Sequence, residues 1–399
     1  MIIHLPYQVK HIINTLESAG YEAFIVGGCV RDAIRGVVPK DWDIATSATP
    51  AKTKILFQRT IDTGIKHGTI TVLINRQPYE VTTYRIDGEY LDNRRPETVE
   101  FTGNIEDDLS RRDFTMNAIA YNPRIGFIDP FGGQDDIRMN MIRCVGDPFH
   151  RFKEDALRML RAIRFSSATG FSVCNHLLEA ISVLNQNLEN ISPERIREEL
   201  GKLITAKHPK AVYMLHSSGL LPFVMRGKVY AGDLSKVISW LTKCPPIEPL
   251  RMALFLYWAN DNCDAILRNL RYDIKSIKEI SLYVRMLHTP VPYSRYEIKK
   301  ILREINSQDL FTNLLDLKEI IDPTQSQVLE SVRQEAMDIV QKGECFTLQN
   351  LAVNGKDLSE IGIPPGKEMG YILEKLLDAV MRDPSLNSKD KLLLENLTS

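Results

Sequence analysis

Nothing in this chain reads as an export or membrane signal. No run of about 18 apolar residues occurs in its 399 residues, and Met1-Ile2-Ile3-His4-Leu5-Pro6 lacks the basic region and apolar stretch of a leader. Neither secretion nor membrane insertion is indicated, and a cytoplasmic location is expected. Cysteine is scarce and scattered. Cys29, Cys144, Cys174, Cys244, Cys263 and Cys345 stand singly, without the close pairs that bind zinc or the density of a disulfide scaffold, so reduced thiols are expected. Excess charge of either sign is also missing, because 50 basic and 51 acidic residues leave a formal net charge of −1. That excludes a bulk basic field, and any contact with a nucleic acid has to come from local patches.

What is present is the composition of an ordinary folded soluble protein, 44% hydrophobic and 25% charged. A chain this long exceeds what one core usually organises, so two to four structural units are expected. Apolar spacing predicts a helix over Gln8 to Ala19, stopped by Gly20. A strand Ala23 to Val26, a Gly27-Gly28 turn, a short helix Cys29 to Arg35 and a second strand Asp41 to Thr46 follow. Thr69 to Ile74 and Tyr79 to Tyr84, rich in β-branched and aromatic residues, predict a hairpin around Asn75-Arg76-Gln77-Pro78. Beyond about residue 145 strands become rare. Lys153 to Ser167, Pro193 to Ala206 and Met369 to Met381 repeat apolar residues at helical spacing, and prolines near 245 and 290 mark breaks. The expected fold is an α+β head with a small mixed sheet, followed by an extended all-α remainder.

Two aspartates at i and i+2 of a strand project from one face, so Asp41 and Asp43 can hold the same hard cation. Magnesium takes oxygen ligands and commonly shares one or two carboxylates with substrate phosphates, the arrangement that nucleotidyl transfer needs. Alone, such a triplet is usually a solvated surface pair. Upstream, however, Gly27-Gly28 offers side-chain-free backbone that can approach a triphosphate, and Arg31 can add a positive charge. Together these residues predict a nucleotide site.

Gly27-Gly28-Cys29-Val30-Arg31-Asp32 with Asp41-Trp42-Asp43-Ile44 resembles the signature of the class II tRNA nucleotidyltransferase and bacterial poly(A) polymerase family of the polymerase-beta superfamily. The resemblance continues, in family order, through Arg111-Arg112-Asp113-Phe114-Thr115-Met116-Asn117-Ala118, Glu154-Asp155-Ala156-Leu157-Arg158-Met159-Leu160-Arg161 and Ile191-Ser192-Pro193-Glu194-Arg195. It implies template-independent addition of C, C and A to the tRNA 3′ end from CTP and ATP, with a head over 1–145, a base-recognising neck over 146–206, a body over 207–290 and a tRNA-binding tail over 291–399. It also implies that Asp41 and Asp43 hold catalytic Mg2+ in a two-metal mechanism, near Gly27, Gly28 and Arg31. Glu80 is a candidate third carboxylate. Arg112, Asp113 and Asn117 match the block assigned to ribose and phosphate, and Arg161, with Arg164 on the same predicted helix, is expected beside the base or phosphates.

Asp155 and Arg158, at i and i+3, would share a helix face. An acceptor beside a forked donor matches the N4–H and N3 of cytosine and the N6–H and N1 of adenine. Uracil and guanine would leave polar groups mispaired at roughly 1–3 kcal/mol each. The same two residues could equally form an ordinary intrahelical ion pair. The polar segment from Asp87 to Pro96 resembles the flexible loop of complete CCA-adding enzymes, which the family links to the final A. Basic and aromatic residues at Arg268, Arg271, Tyr272, Lys275, Lys278 and Tyr283, then Arg295, Tyr296, Lys299, Lys300 and Arg303, suit phosphate contacts. Leu351 to Leu358 and Gly362 to Gly370 resemble the tail segment that holds the tRNA elbow, so the expected partners are the tRNA acceptor stem and elbow. The oligomeric state is open, a homodimer included. A bacterial poly(A) polymerase, a CC-only or A-only enzyme and a non-catalytic RNA-binding protein are the alternatives. The near-neutral Asn387-Ser388-Lys389-Asp390-Lys391 is unlike the strongly basic extension that the polymerase reading favours.

Overall fold

The computed structural model describes residues 1–88, 98–228 and 230–395. They cluster into two compact units, Met1–Ile238 with Ala265–Asp273, and Ser239–Asp264 with Ile274–Ser399. In the first unit, α1 (Tyr7–Ser18) buries Val9, Ile12, Ile13 and Leu16, the face that its apolar spacing marks. Next come β1 (Ala23–Val26), α2 (Gly28–Ile34), β2 (Asp43–Thr46), α3 (Pro50–Leu56), β3 (Thr60–Gly64), β4 (Thr69–Ile74) and β5 (Gln77–Thr83). A separate antiparallel pair, β6 (Arg85–Asp87) and β7 (Val99–Phe101), precedes α4 (Ile105–Ser110), β8 (Ala120–Asn122), β9 (Gly126–Ile128) and α5 (Gly133–Arg138). Most of the segment read as a flexible loop, residues 89–96 of Asp87 to Pro96, lies outside the described residues.

Seven strands form one sheet in the order β3-β4-β5-β2-β1-β8-β9. Only β2 and β5 run parallel, so the sheet is mixed as expected. Phe24, Val26, Ala45 and Tyr84 pack with Leu109 of α4 and Val145 to form its core. The hairpin is tighter than the sequence suggests. Pairing runs on to Ile74 opposite Gln77, leaving a two-residue turn of Asn75 and Arg76 at φ 52° and 67°. Positive φ at both turn residues matches the twist of the flanking strands, which lets β5 begin at Gln77 instead of Tyr79.

One strand prediction is corrected. β2 begins at Asp43, and Asp41 lies in the bend before it. The reason is in β1. Its ladder with β2 ends at Val26 opposite Asp43, and Gly27 at φ +77° turns the chain off the sheet, so Asp41 has no partner on β1.

After β10 (Met141–Ile142) the unit becomes helical, through α6 (Pro148–Glu154), α7 (Leu157–Thr169), the short β11 (Ser172–Val173), α8 (Asn175–Leu184) and α9 (Pro193–Ile204). Here a second correction is needed. Asp155 and Arg158 do not share one helix, because α6 stops at Glu154 and Asp155 is extended at φ −138°, ψ 102°. The Asp155 Oδ1 accepts from the Leu157 backbone N–H at 3.1 Å, an interaction that starts a new helix instead of continuing the old one.

The second unit is helical among its described residues, with a core that includes Leu351, Val353, Leu358, Leu377 and Val380. Its basic run is largely turned inward, contrary to the phosphate-contact expectation. Arg295 pairs with Glu335, Asp338 and Glu344; Lys299 is 1% exposed and 2.7 Å from Glu344; Arg303 pairs with Glu374 at 2.6 Å. Tyr296 donates to Asp378, and of the five only Lys300 remains outward and exposed. Among the described residues no helix is long and apolar enough to cross a membrane, and all six cysteines are free.

Candidate active site

A cleft of about 900 Å³ opens in the first unit. Gly27, Gly28, Arg31, Asp41, Asp43, Arg112, Asp113, Asn117, Asp155, Arg158, Arg161 and Arg164 all line it. Glu80 does not; it lines an adjoining cleft that also includes Asp41 and Asp43. Arg85, Arg111, Arg195, Lys202, Asp87, His67 and Phe165 complete the lining among the described residues, where nine Arg and Lys face five Asp.

The glycine turn fixes one edge. A Cβ on Gly27 would lie 3.1 Å from Arg112 Nη1 and 4.0 Å from Asp43 Oδ2, in a backbone conformation that side chains rarely adopt. Glycine therefore lets the arginine and the carboxylate close on the backbone. Arg31 donates from Nη1 to Asn117 Oδ1 at 2.8 Å and from Nε to Asp32 at 2.9 Å. Arg111 and Arg112 share the buried Asp108, at 2.7 and 3.0 Å.

Asp43 titrates above the ordinary carboxylate range. The protein around it desolvates the group, although its side chain stays open to the cleft, and the Glu80 and Asp41 carboxylates push the same way against Arg112. Among the described residues no three His, Cys, Asp or Glu side chains converge as a ready-made metal cage.

Asp113 is the organiser of the far wall. Its Oδ2 accepts from Arg161 Nη2 at 2.6 Å and Nε at 2.9 Å, and its Oδ1 from the Phe114 N–H at 2.8 Å and Asn117 Nδ2 at 3.1 Å. Four bonds fill a carboxylate's acceptor capacity, so this side chain holds Arg161 and Asn117 in place. Burial alone would raise its pKa; the Arg161 charge and the Asn117 hydrogen bond override that and hold it at about 2. Arg164 stacks 3.5 Å from the Phe165 ring centroid and donates to Glu199 at 2.8 Å.

The proposed base readers also have partners. Arg158 is 7% exposed, donating to Glu154 Oε2 at 2.6 Å and to the Arg111 carbonyl at 3.1 Å. Asp155 is gripped by Arg195 through Nη2–Oδ2 at 2.7 Å and Nη1–Oδ1 at 3.2 Å. Arg195, together with Arg85, Arg111, Lys202, His67 and Phe165, is what sequence reasoning missed. Arg195 stands inside a recognised motif block, but its 40-residue separation from Asp155 gave no sign that the two meet.

A family model for the "Poly A polymerase head domain" matches residues 23–143. One for the "Probable RNA and SrmB- binding site of polymerase A" matches 170–227, and one for tRNA nucleotidyltransferase domain 2 matches 249–396. The CCA-adding enzyme of Lactobacillus helveticus is 34% identical over 388 residues, covering 95% of this chain and 94% of that one. That of Lactiplantibacillus plantarum is 37% identical over 393 residues, covering 96% and 94%. Among solved structures, the Bacillus stearothermophilus CCA-adding enzyme in complex with CTP superposes with a TM-score of 0.85 at 31% identity, covering 99% of this chain and 98% of that one. With its mixed-sheet head, its helical remainder and identity of this level along nearly its whole length, this chain belongs to the CCA-adding enzyme family of nucleotidyltransferases.

Proposed function

We propose that this protein adds C, C and A in turn to the 3′ end of tRNA, using CTP and ATP and releasing pyrophosphate. The observation that carries the reading is the cleft's charge pattern. A surplus of Arg and Lys suits a triphosphate, and two neighbouring carboxylates, Asp41 and Asp43, stand at its edge. Their donor set is all oxygen, and Asp43 titrates high partly because nearby carboxylates leave negative charge poorly compensated. Both facts fit a hard divalent cation, and we assign Mg2+ to Asp41 and Asp43 in a two-metal arrangement. Bound there, Mg2+ would neutralise triphosphate charge and make the RNA 3′-hydroxyl a better nucleophile.

The chain's own groups do the rest. Gly27 and Gly28 let the triphosphate approach the backbone, and Arg31 and Arg112 meet its oxygens. Asn117, oriented by Asp113, meets a sugar hydroxyl, and Arg161 and Arg164 form the cationic wall. Asp155 and Arg158 select cytosine and adenine from opposite sides of a helix break, with Asp155 aimed by Arg195. Glu80 is a third carboxylate approached from the adjoining cleft. We keep 1–145 as catalytic head, 146–206 as neck, 207–290 as body and 291–399 as the tail that holds the tRNA elbow.

The test is incorporation with tRNA that lacks its 3′ CCA. Wild type extends it with CTP and ATP, whereas Asp41→Ala binds the tRNA but adds nothing. Binding without incorporation by wild type would support an RNA-binding module instead, and substantial activity in Asp41→Ala would remove the metal assignment.

A further inference from the structure

Of the residues lining the main cleft, only Asp41 and Asp43 also line the adjoining one, a space of about 740 Å³. The two clefts differ in chemistry. Among the described residues the adjoining one carries a single cation, Lys40, against the carboxylates Asp41, Asp43 and Glu80, together with Trp42 and Tyr79. Three carboxylates repel a triphosphate. Two half-exposed aromatic rings suit the face of a nucleobase, and exposed Lys40 suits a single phosphodiester.

We propose that this second cleft seats the 3′-terminal nucleoside of the RNA being extended, with Trp42 and Tyr79 as its stacking surfaces and Lys40 at the adjoining phosphate. The proposal rests on the nucleotidyl-transfer reading above. In that reaction the RNA 3′ oxygen bonds to the α-phosphorus as the bond to pyrophosphate breaks, and the hydroxyl proton passes to water. Attacking and leaving oxygens lie roughly in line on opposite sides of the phosphorus. Acceptor and nucleotide must therefore approach the carboxylates from different directions, which two clefts meeting at Asp41 and Asp43 provide. Each addition also changes the terminal base, so the seat has to tolerate any base. Stacking does this, because every base has an aromatic face, whereas hydrogen-bonded readout would not.

Steady-state kinetics of wild-type, Trp42→Ala, Trp42→Phe and Tyr79→Ala proteins test it, with tRNA lacking CCA and CTP varied in turn. Loss of one stacking surface is expected to raise KM for the tRNA on the order of tenfold. KM for CTP should move less than twofold, and Trp42→Phe should restore most of the loss. Tyr79→Ala, on β5, provides a second variant away from the aspartates if Trp42→Ala disturbs its neighbours. An unchanged tRNA KM in both alanine variants, or a rise in KM for CTP instead, overturns the proposal. Failure of wild type to add any nucleotide would overturn the enzymatic reading itself, so the two failures are distinguishable.

Discussion

Replacing Arg195 isolates the link between Asp155 and base choice. Arg195 grips the Asp155 carboxylate at 2.7 and 3.2 Å, and the pair is mostly shielded, with side-chain exposures of 28% and 14%. Hydrogen bonds to charged groups contribute roughly 1.5–3 kcal/mol. Arg195→Met keeps much of the aliphatic stem and removes the fork, leaving the Asp155 carboxylate with the Leu157 N–H and the more distant charge of Arg161. If about 2 kcal/mol of orientation is lost in the transition state, kcat/KM for CTP falls about 30-fold. UTP, which does not benefit from the carboxylate, should fall much less, so the CTP/UTP preference narrows. Single-turnover addition to tRNA lacking CCA, with each nucleotide alone, measures both quantities. Arg195→Lys, which keeps charge without the fork, should recover only part of the loss. A variant with lowered Tm but an unaltered CTP/UTP ratio would refute the reasoning and reduce the pair to a structural brace between α7's start and α9.

Three further outcomes are expected. Gly27→Ala forces a side chain into a φ of +77° and against Arg112, a strain of order 1–3 kcal/mol; CTP KM should rise several-fold, and an unchanged KM would separate this glycine from the triphosphate. Arg158→Ala should permit UTP or GTP incorporation, measured by competition assay, and unchanged selectivity would return Arg158 to a purely structural pairing with Glu154. Asp113 has a folded-state pKa near 2 against an ordinary 3.8, so the ionised carboxylate stabilises the fold above pH 3.8 and that contribution fades as pH falls toward 2. Wild type should exceed Asp113→Asn by about 2 kcal/mol at pH 5 in urea unfolding, with the gap narrowing below pH 4, and a gap independent of pH would contradict the pairing with Arg161.

The cleft was legible because its residues come from short motifs whose local geometry is nearly forced. Gly27 needs positive φ, Asp43 starts a buried strand, and Asn117 and Asp113 lie four residues apart. What the sequence hid depends on distant partners. Apolar spacing runs from Lys153 to Ser167, so periodicity predicts a single helix; at the break the Asp155 side chain accepts from the Leu157 N–H two residues on and is gripped by an arginine 40 residues away. Likewise, Arg295, Lys299 and Arg303 read as an RNA-facing stripe only until Glu335, Glu344 and Glu374 fold against them. A charged residue's periodicity says which helix face it is on, and its partner decides whether that face is free.

The most direct test is the product itself. Purified protein is given tRNA lacking only its 3′ CCA, Mg2+ and all four nucleoside triphosphates, and the extended 3′ ends are sequenced. The prediction is C, C and A in that order, followed by termination. Runs of A, or a stop after two C, would contradict it.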